Sequence, residues 1–183
     1  MVIGIIAVVI IAVIVLWAVM TYNGLVGLRN QCEEAFSTMD VYLKKRFDLI
    51  PNLVETVKGY AKHEAETLQQ VIAARNAGGT TSMEQRMKDE NQISGALRQI
   101  FALSESYPDL KANTNFIDLQ NQLKAVEEDI ANARKYYNAV VKQYNDKCMM
   151  VPSNIVANLA HFEKKPMFEV DSAEERKNVK VQF

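Results

Sequence analysis

The segment FIDLQNQLKAVEEDIANARKYYNAVVKQY, residues 116–144, has the most regular pattern in the soluble part of the chain. Phe116, Leu119, Leu123, Val126, Ile130, Ala133, Tyr137, Val140 and Tyr144 recur at alternating steps of three and four. A helix turns about 100° per residue, so these side chains form one apolar stripe at heptad spacing, as in a coiled coil. Such a helix is about 45–50 Å long. Burying its stripe at about 1.5–3 kcal/mol for each large side chain favours packing by roughly 12–25 kcal/mol before entropy. A lone helix in water cannot realise that gain, so partner helices are required.

The flanking sequence supplies them. Leu25, Leu28, Cys32, Phe36, Met39, Leu43 and Phe47 keep the helical step and predict a helix over 23–47. Asp48-Leu49-Ile50-Pro51 reads as a stop and restart, with Asp48 as N-cap and Pro51 in a first turn. The alternative is a continuous helix kinked at Pro51. A second helix follows over 49–76, with Ile50, Val54, Val57, Ala61, Ala65, Leu68 and Ile72 inward. Ala77-Gly78-Gly79-Thr80 is a break, and Thr81-Ser82-Met83-Glu84 has capping-box spacing. A third helix is expected over 82–107, with Met83, Met87, Ile93, Leu97, Ile100 and Tyr107 inward, ended by Pro108. The fourth spans 115–148. Short connections between helices of similar length predict an all-α fold, an antiparallel up-and-down four-helix bundle over 23–151. A short amphipathic segment around Ile155, Val156, Leu159 and Phe162, either capping the bundle or lying on a bilayer, and an extended tail fill 152–183.

At the other end, Val2–Met20 is nineteen residues without a polar side chain, thirteen of them Ile, Val or Leu. At about 1.5 Å per residue it reaches roughly 28 Å, the hydrocarbon thickness of a bilayer. Trp17 and Tyr22 stand where aromatic rings suit the headgroup region. With no basic n-region, the run reads as an uncleaved single-pass span, and residues 1–22 as a transmembrane helix and its flank. No charged residue precedes Arg29, and Lys44, Lys45 and Arg46 come later. That bias points the bundle to the cytoplasm, with the extracytoplasmic side as the alternative.

Composition excludes several function classes. Apolar residues are 49%, charged residues 23%, and the formal net charge is −1, which argues against nucleic-acid binding by bulk charge. Two histidines and two cysteines are too few for zinc modules or a disulfide scaffold. His63-Glu64 opens like a zinc-protease motif, but position 67 is Thr. Tyr60 and Asn158 stand three residues before His63 and His161, where a di-iron bundle has Glu. Cys32 lies on the inward stripe and reads as a buried thiol, although a Cys32–Cys148 pair is conceivable in an oxidising compartment. Glu33-Glu34, Lys44-Lys45-Arg46 and Glu127-Glu128-Asp129 read as solvated faces, the basic trio also suiting the carbonyls at the end of the first helix. No catalytic residue, cofactor, metal or small-molecule substrate is expected.

The block Lys45-Arg46-Phe47-Asp48-Leu49-Ile50-Pro51-Asn52-Leu53-Val54-Glu55-Thr56-Val57-Lys58-Gly59-Tyr60-Ala61-Lys62-His63-Glu64 resembles the signature of the LemA family. The likeness extends to Tyr22-Asn23, Leu28-Arg29-Asn30, Ala35, Asp40, Ala74-Arg75, Tyr136-Tyr137-Asn138 and the Pro152–Phe168 stretch. Carried over by match, the signature residues are Arg46, Asp48, Pro51, Asn52, Lys58, Gly59, Tyr60, His63 and Glu64. Position 45 departs from the family's frequent arginine pair and gives up some bidentate capacity. The resemblance implies a bacterial membrane-associated helical-bundle protein with no established enzymatic activity. Some relatives carry lipoprotein-type N-termini, which imply a domain outside the cytoplasm.

The core stripe of the second helix centres on Ala61, so Asn52, Thr56, Gly59, His63 and Gln70 fall roughly opposite. Glycine inside a helix costs about 1 kcal/mol relative to alanine, but it permits close approach. Asn52, Thr56, Gly59 and His63 therefore form a candidate contact face for an unidentified protein partner or a second copy, with an ordinary solvated face as the alternative. The expected function is a non-enzymatic protein-interaction or scaffolding module, anchored in the bacterial plasma membrane through residues 2–20. A membrane-linked sensor of a ligand or of envelope stress is the second reading.

Overall fold

One helix, α1 (Val2–Tyr60), takes in both the apolar run and the first amphipathic stretch without interruption. The computed structural model describes residues 1–61, 64–77 and 83–168. The remaining elements are α2 (Ala65–Ala77), α3 (Met83–Ser104), α4 (Pro108–Lys111), α5 (Thr114–Met149) and α6 (Ser153–Leu159). All secondary structure among the described residues is helical. The expected break at Ala77–Thr80 and the cap at Thr81-Ser82 lie essentially outside the described residues.

Two expectations need correction. The stop and restart at Asp48–Pro51 does not occur: Pro51 lies inside α1. The expected 49–76 helix is instead divided, with α1 ending at Tyr60 and α2 beginning at Ala65. Proline lacks an N–H, so the Phe47 carbonyl loses its normal partner four residues on. Arg75 of α2 meets that need. Its Nε donates to the Phe47 carbonyl at 3.4 Å, and its guanidinium lies 4.0 Å from the centre of the Phe47 ring. The break after Tyr60 also shifts the phase of the stripe. Val71 is fully buried in α2, and Ile72 only partly.

The chain forms two compact units. The first comprises Met1–Thr38 and Lys135–Met167. Within it Leu25, Cys32 and Ala35 of α1 are buried, as are Tyr137, Val140, Val141, Tyr144 and Cys148 of α5 and Val156 and Ala157 of α6. The Phe36 and Tyr137 rings meet edge to face with centroids 5.9 Å apart. His161 ends α6 in the left-handed region at φ 54°, and the Phe162 amide donates to the Ala157 carbonyl at 2.9 Å. This helix-terminating turn sends Phe162 against Tyr22, 5.6 Å between ring centres. Beyond it, three side chains of α5 bond the following backbone. Tyr144 donates to the Glu163 carbonyl at 2.9 Å, Asn145 to Lys165 at 2.9 Å, and Tyr137 to Pro166 at 3.1 Å.

Among the described residues the second unit comprises those between Met39 and Arg134, together with Phe168. Its core draws on four helices. Ile50, Leu53, Val54 and Val57 come from α1, Leu68 and Val71 from α2, Ile93, Leu97 and Ile100 from α3, and Phe116 and Leu123 from α5. Leu110 of the one-turn α4 joins them. The connections are tied by side chains: Tyr107 donates to Glu64 at 2.9 Å, and Asn113 to the Tyr60 hydroxyl at 2.8 Å.

Candidate functional site

The described signature residues do not converge on one cleft. Asn52 and Gly59 are exposed on α1 and Thr56 is partly so, on the side away from buried Leu53, Val54 and Val57. Thr56 donates to the Asn52 carbonyl one turn back at 2.8 Å, which spends its hydroxyl within the helix. A Cβ at Gly59 would meet nothing within 4 Å, so the surface there is open. His63 lies outside the described residues. Asp48 and Lys58 are in exposed intrahelical ion pairs, with Lys44 at 3.7 Å and Glu55 at 2.7 Å. Tyr60 and Glu64 accept the bonds from Asn113 and Tyr107 described above. The Tyr107 phenol is raised by that hydrogen bond to Glu64.

Arg46 has a different role from its neighbours in the basic trio. It is 1% exposed, the largest fully buried side chain of the described chain, and it lies far inside α1 rather than at a helix end. Its Nη2 contacts the Glu90 carboxylate and the Glu90 carbonyl. Its Nη1 reaches Glu127 at 2.6 Å and Ser94 Oγ at 2.7 Å. Ser94 in turn donates to the second Glu127 oxygen at 2.9 Å. Glu127 therefore leaves the solvated group to which the sequence assigned it. Arg134 closes the cluster: its Nη1 donates to Asn91 at 3.0 Å, and its guanidinium lies 5.0 Å from the Phe168 ring centre. Burial lowers the Arg134 pKa, and the nearby Arg46 charge lowers it further. The two guanidiniums are balanced by two carboxylates, so the group is near neutral as a whole. Arg46 is paired and hydrogen-bonded throughout, as a buried charge must be, whereas the buried Nε and Nη2 of Arg134 have no hydrogen-bond partner.

Local pattern reading missed this cluster because its members come from α1, α3 and α5. One signal was present: Arg46 sits three residues after Leu43 and four before Ile50, on the apolar stripe itself.

The cysteines are not arranged for nucleophilic work. Cys32 and Cys148 are free and buried, and burial pushes both thiols up, away from the reactive thiolate. Among the described residues no group of three or more His, Cys, Asp or Glu side chains is placed to hold a metal ion.

The amino-acid sequence is similar to those of known proteins. The sequence profile of the LemA family matches residues 35–183. The protein LemA of Metamycoplasma hominis is 26% identical over 160 residues, covering 81% of this chain and 72% of its own length. Magnetosome protein MamQ 2 of Paramagnetospirillum magneticum is 24% identical over 177 residues, covering 82% of this chain. Magnetosome protein MamQ of Magnetospirillum gryphiswaldense is 22% identical over 176 residues, covering 81%. The chain spans 65% of the length of these MamQ relatives. The profile match runs through the whole signature, through Arg75 beneath the proline and through all four members of the buried charge cluster: the chain belongs to the LemA family.

Proposed function

We propose that this protein is a single-pass scaffold of the bacterial plasma membrane. Residues 2–20 cross the bilayer, and the body, an antiparallel up-and-down four-helix bundle, presents the face of Asn52, Thr56, Gly59 and His63 to a partner protein or a second copy. The observation that carries this reading is the continuity of α1. Its apolar stretch has a mean hydropathy of 3.3 with none of it buried by the rest of the chain, and the same helix then enters the packed body. Membership of the LemA family and likeness to proteins named as magnetosome proteins support membrane association. A tethered helical surface raises the local concentration of whatever it binds, with no chemical step. The charge bias around the span favours a cytoplasmic body.

The test is Gly59→Leu combined with photo-cross-linking from position 52 in native membranes. The open space at Gly59 accommodates a side chain, and Gly59 is the last residue but one of α1, so the change leaves the packed length of the helix untouched. The variant therefore stays folded, and adducts from position 52 should disappear. Adducts of unchanged yield would sink the contact-face reading.

A further inference from the structure

Contacts in the first unit step back along α1 as α5 advances. Tyr137 meets Phe36, and ten residues later the Lys147 ammonium lies where a Cβ of Gly24 would stand. The end of α5 thus arrives at the level where the apolar run of α1 stops. The burial of α1 marks the same level: residues 1–16 are exposed, Trp17 and Ala18 are partly covered, and Thr21 is buried.

The groups placed there are apolar and face outward. Met149, the last residue of α5, and Met150 and Val151, which follow it, are 48%, 62% and 80% exposed. In α6, Ile155 and Leu159 are 54% and 78% exposed, one helical turn apart on one face. The opposite face is anchored in the unit through Val156 and Ala157, and Phe162 is held by Tyr22. In water this is an unfavourable display of contiguous apolar surface. It adjoins the end of a hydrocarbon-length helix, and the charge pattern fits the same setting. Lys147 stands beside Gly24, about 6 Å along the axis beyond Met20, the depth of lipid phosphates. Arg29 lies over the Phe162 ring at 5.5 Å from its centre, just above.

We propose that the Met149–Val151 turn and α6 form a second membrane contact, seated in the headgroup and upper acyl region of the bilayer that α1 crosses. The occupant of this apolar face is lipid. Short amphipathic segments bind interfaces through such area plus basic flanks, and here the span removes the entropic cost of bringing the segment to the surface. The inference rests on reading Val2–Met20 as a membrane span, and the experiment separates the two.

The full chain is reconstituted in phosphatidylcholine–phosphatidylglycerol vesicles, with and without lipid brominated near the top of the acyl chains. Trp17 is the single tryptophan and reports on the span. L159W and, separately, I155W are made in a W17F background, at sites exposed enough to accept an indole. S37W in the same background lies about 25 Å beyond Met20 and serves as the water-side control. The expected result is loss of most emission for the native chain, L159W and I155W, with S37W unchanged. Quenching of Trp17 with no quenching of L159W or I155W overturns the α6 contact and leaves the span intact. Blue-shifted but unquenched emission from the α6 indoles overturns it in favour of a protein covering, such as a second copy. No quenching of Trp17 overturns both readings. Quenching of S37W along with the rest overturns the localised contact, because the unit would then lie broadside on the bilayer.

Discussion

Arg46 brings a full positive charge into the second unit at 1% exposure, and its value to the fold depends on its partners. Removing one member of a buried ion pair leaves the other charge uncompensated, typically at about 3–5 kcal/mol. Arg46→Ala should therefore lower the unfolding free energy by about that amount, read by urea denaturation of the detergent-solubilised chain. Replacing Arg46, Glu90, Glu127 and Arg134 together by Met and Leu should be close to neutral, because the desolvation cost disappears with the charges. A cost of the fourfold change as large as the single one would mean that the network supplies net stability rather than specificity. Burial gives the tyrosines of the first unit a separate signature: Tyr137 and Tyr144 are both pushed up to about 12. An acid whose folded pKa is raised keeps its proton longer in the folded state. Its stabilising contribution is complete below the ordinary value of 10.0 and is lost as pH rises towards about 12. Melting temperature should fall across that window. In Y137F/Y144F the fall should be shallower; an identical slope would mean that neither phenol resists ionisation.

At the scale of the element, Pro51 and Arg75 act together. The proline removes one helical hydrogen bond, and Arg75 supplies a donor to the carbonyl left behind. Pro51→Ala should stabilise the chain, by up to about 3 kcal/mol, because alanine restores the amide in an unbroken helix. Arg75→Ala should cost about 1–2 kcal/mol for the lost bond and ring contact. The cost should shrink by at least about 0.5 kcal/mol when Pro51 is already alanine, since the Phe47 carbonyl then has its own partner. Strict additivity in this double-mutant cycle would dissociate the two residues. A local reading of Asp48-Leu49-Ile50-Pro51 favours a turn, because cap and proline preferences both point that way. The compensating donor stands far along the chain and has no local signal.

For the whole molecule the open property is sidedness. Both native cysteines are buried, so Cys148 is a poor reporter for a membrane-impermeant maleimide. Ser106, exposed in the connection after α3, is a better site. S106C should be labelled only after permeabilisation if the body is cytoplasmic, as the basic residues after the span suggest. Labelling in intact cells would put the body outside and direct the partner search to the envelope.

The sequence by itself determined the helical class, the charge-free apolar run of the first helix and nearly all of the α5 stripe, because periodicity and length are local properties of consecutive residues. Phe116, Leu123, Val126, Ile130, Tyr137, Val140 and Tyr144 are all buried. It also carried the family resemblance, though the signature mixes exposed positions such as Asn52 and Gly59 with the deeply buried Arg46. Tertiary structure decided the rest. It carried α1 through Pro51 to Tyr60, drew Arg46 and Glu127 out of groups that read as solvated, and packed Phe162 against Tyr22. Each of these outcomes depends on a partner donated by another helix. A charge or a proline is affordable in a given place only when a distant residue supplies the missing bond, and local spacing does not contain that information.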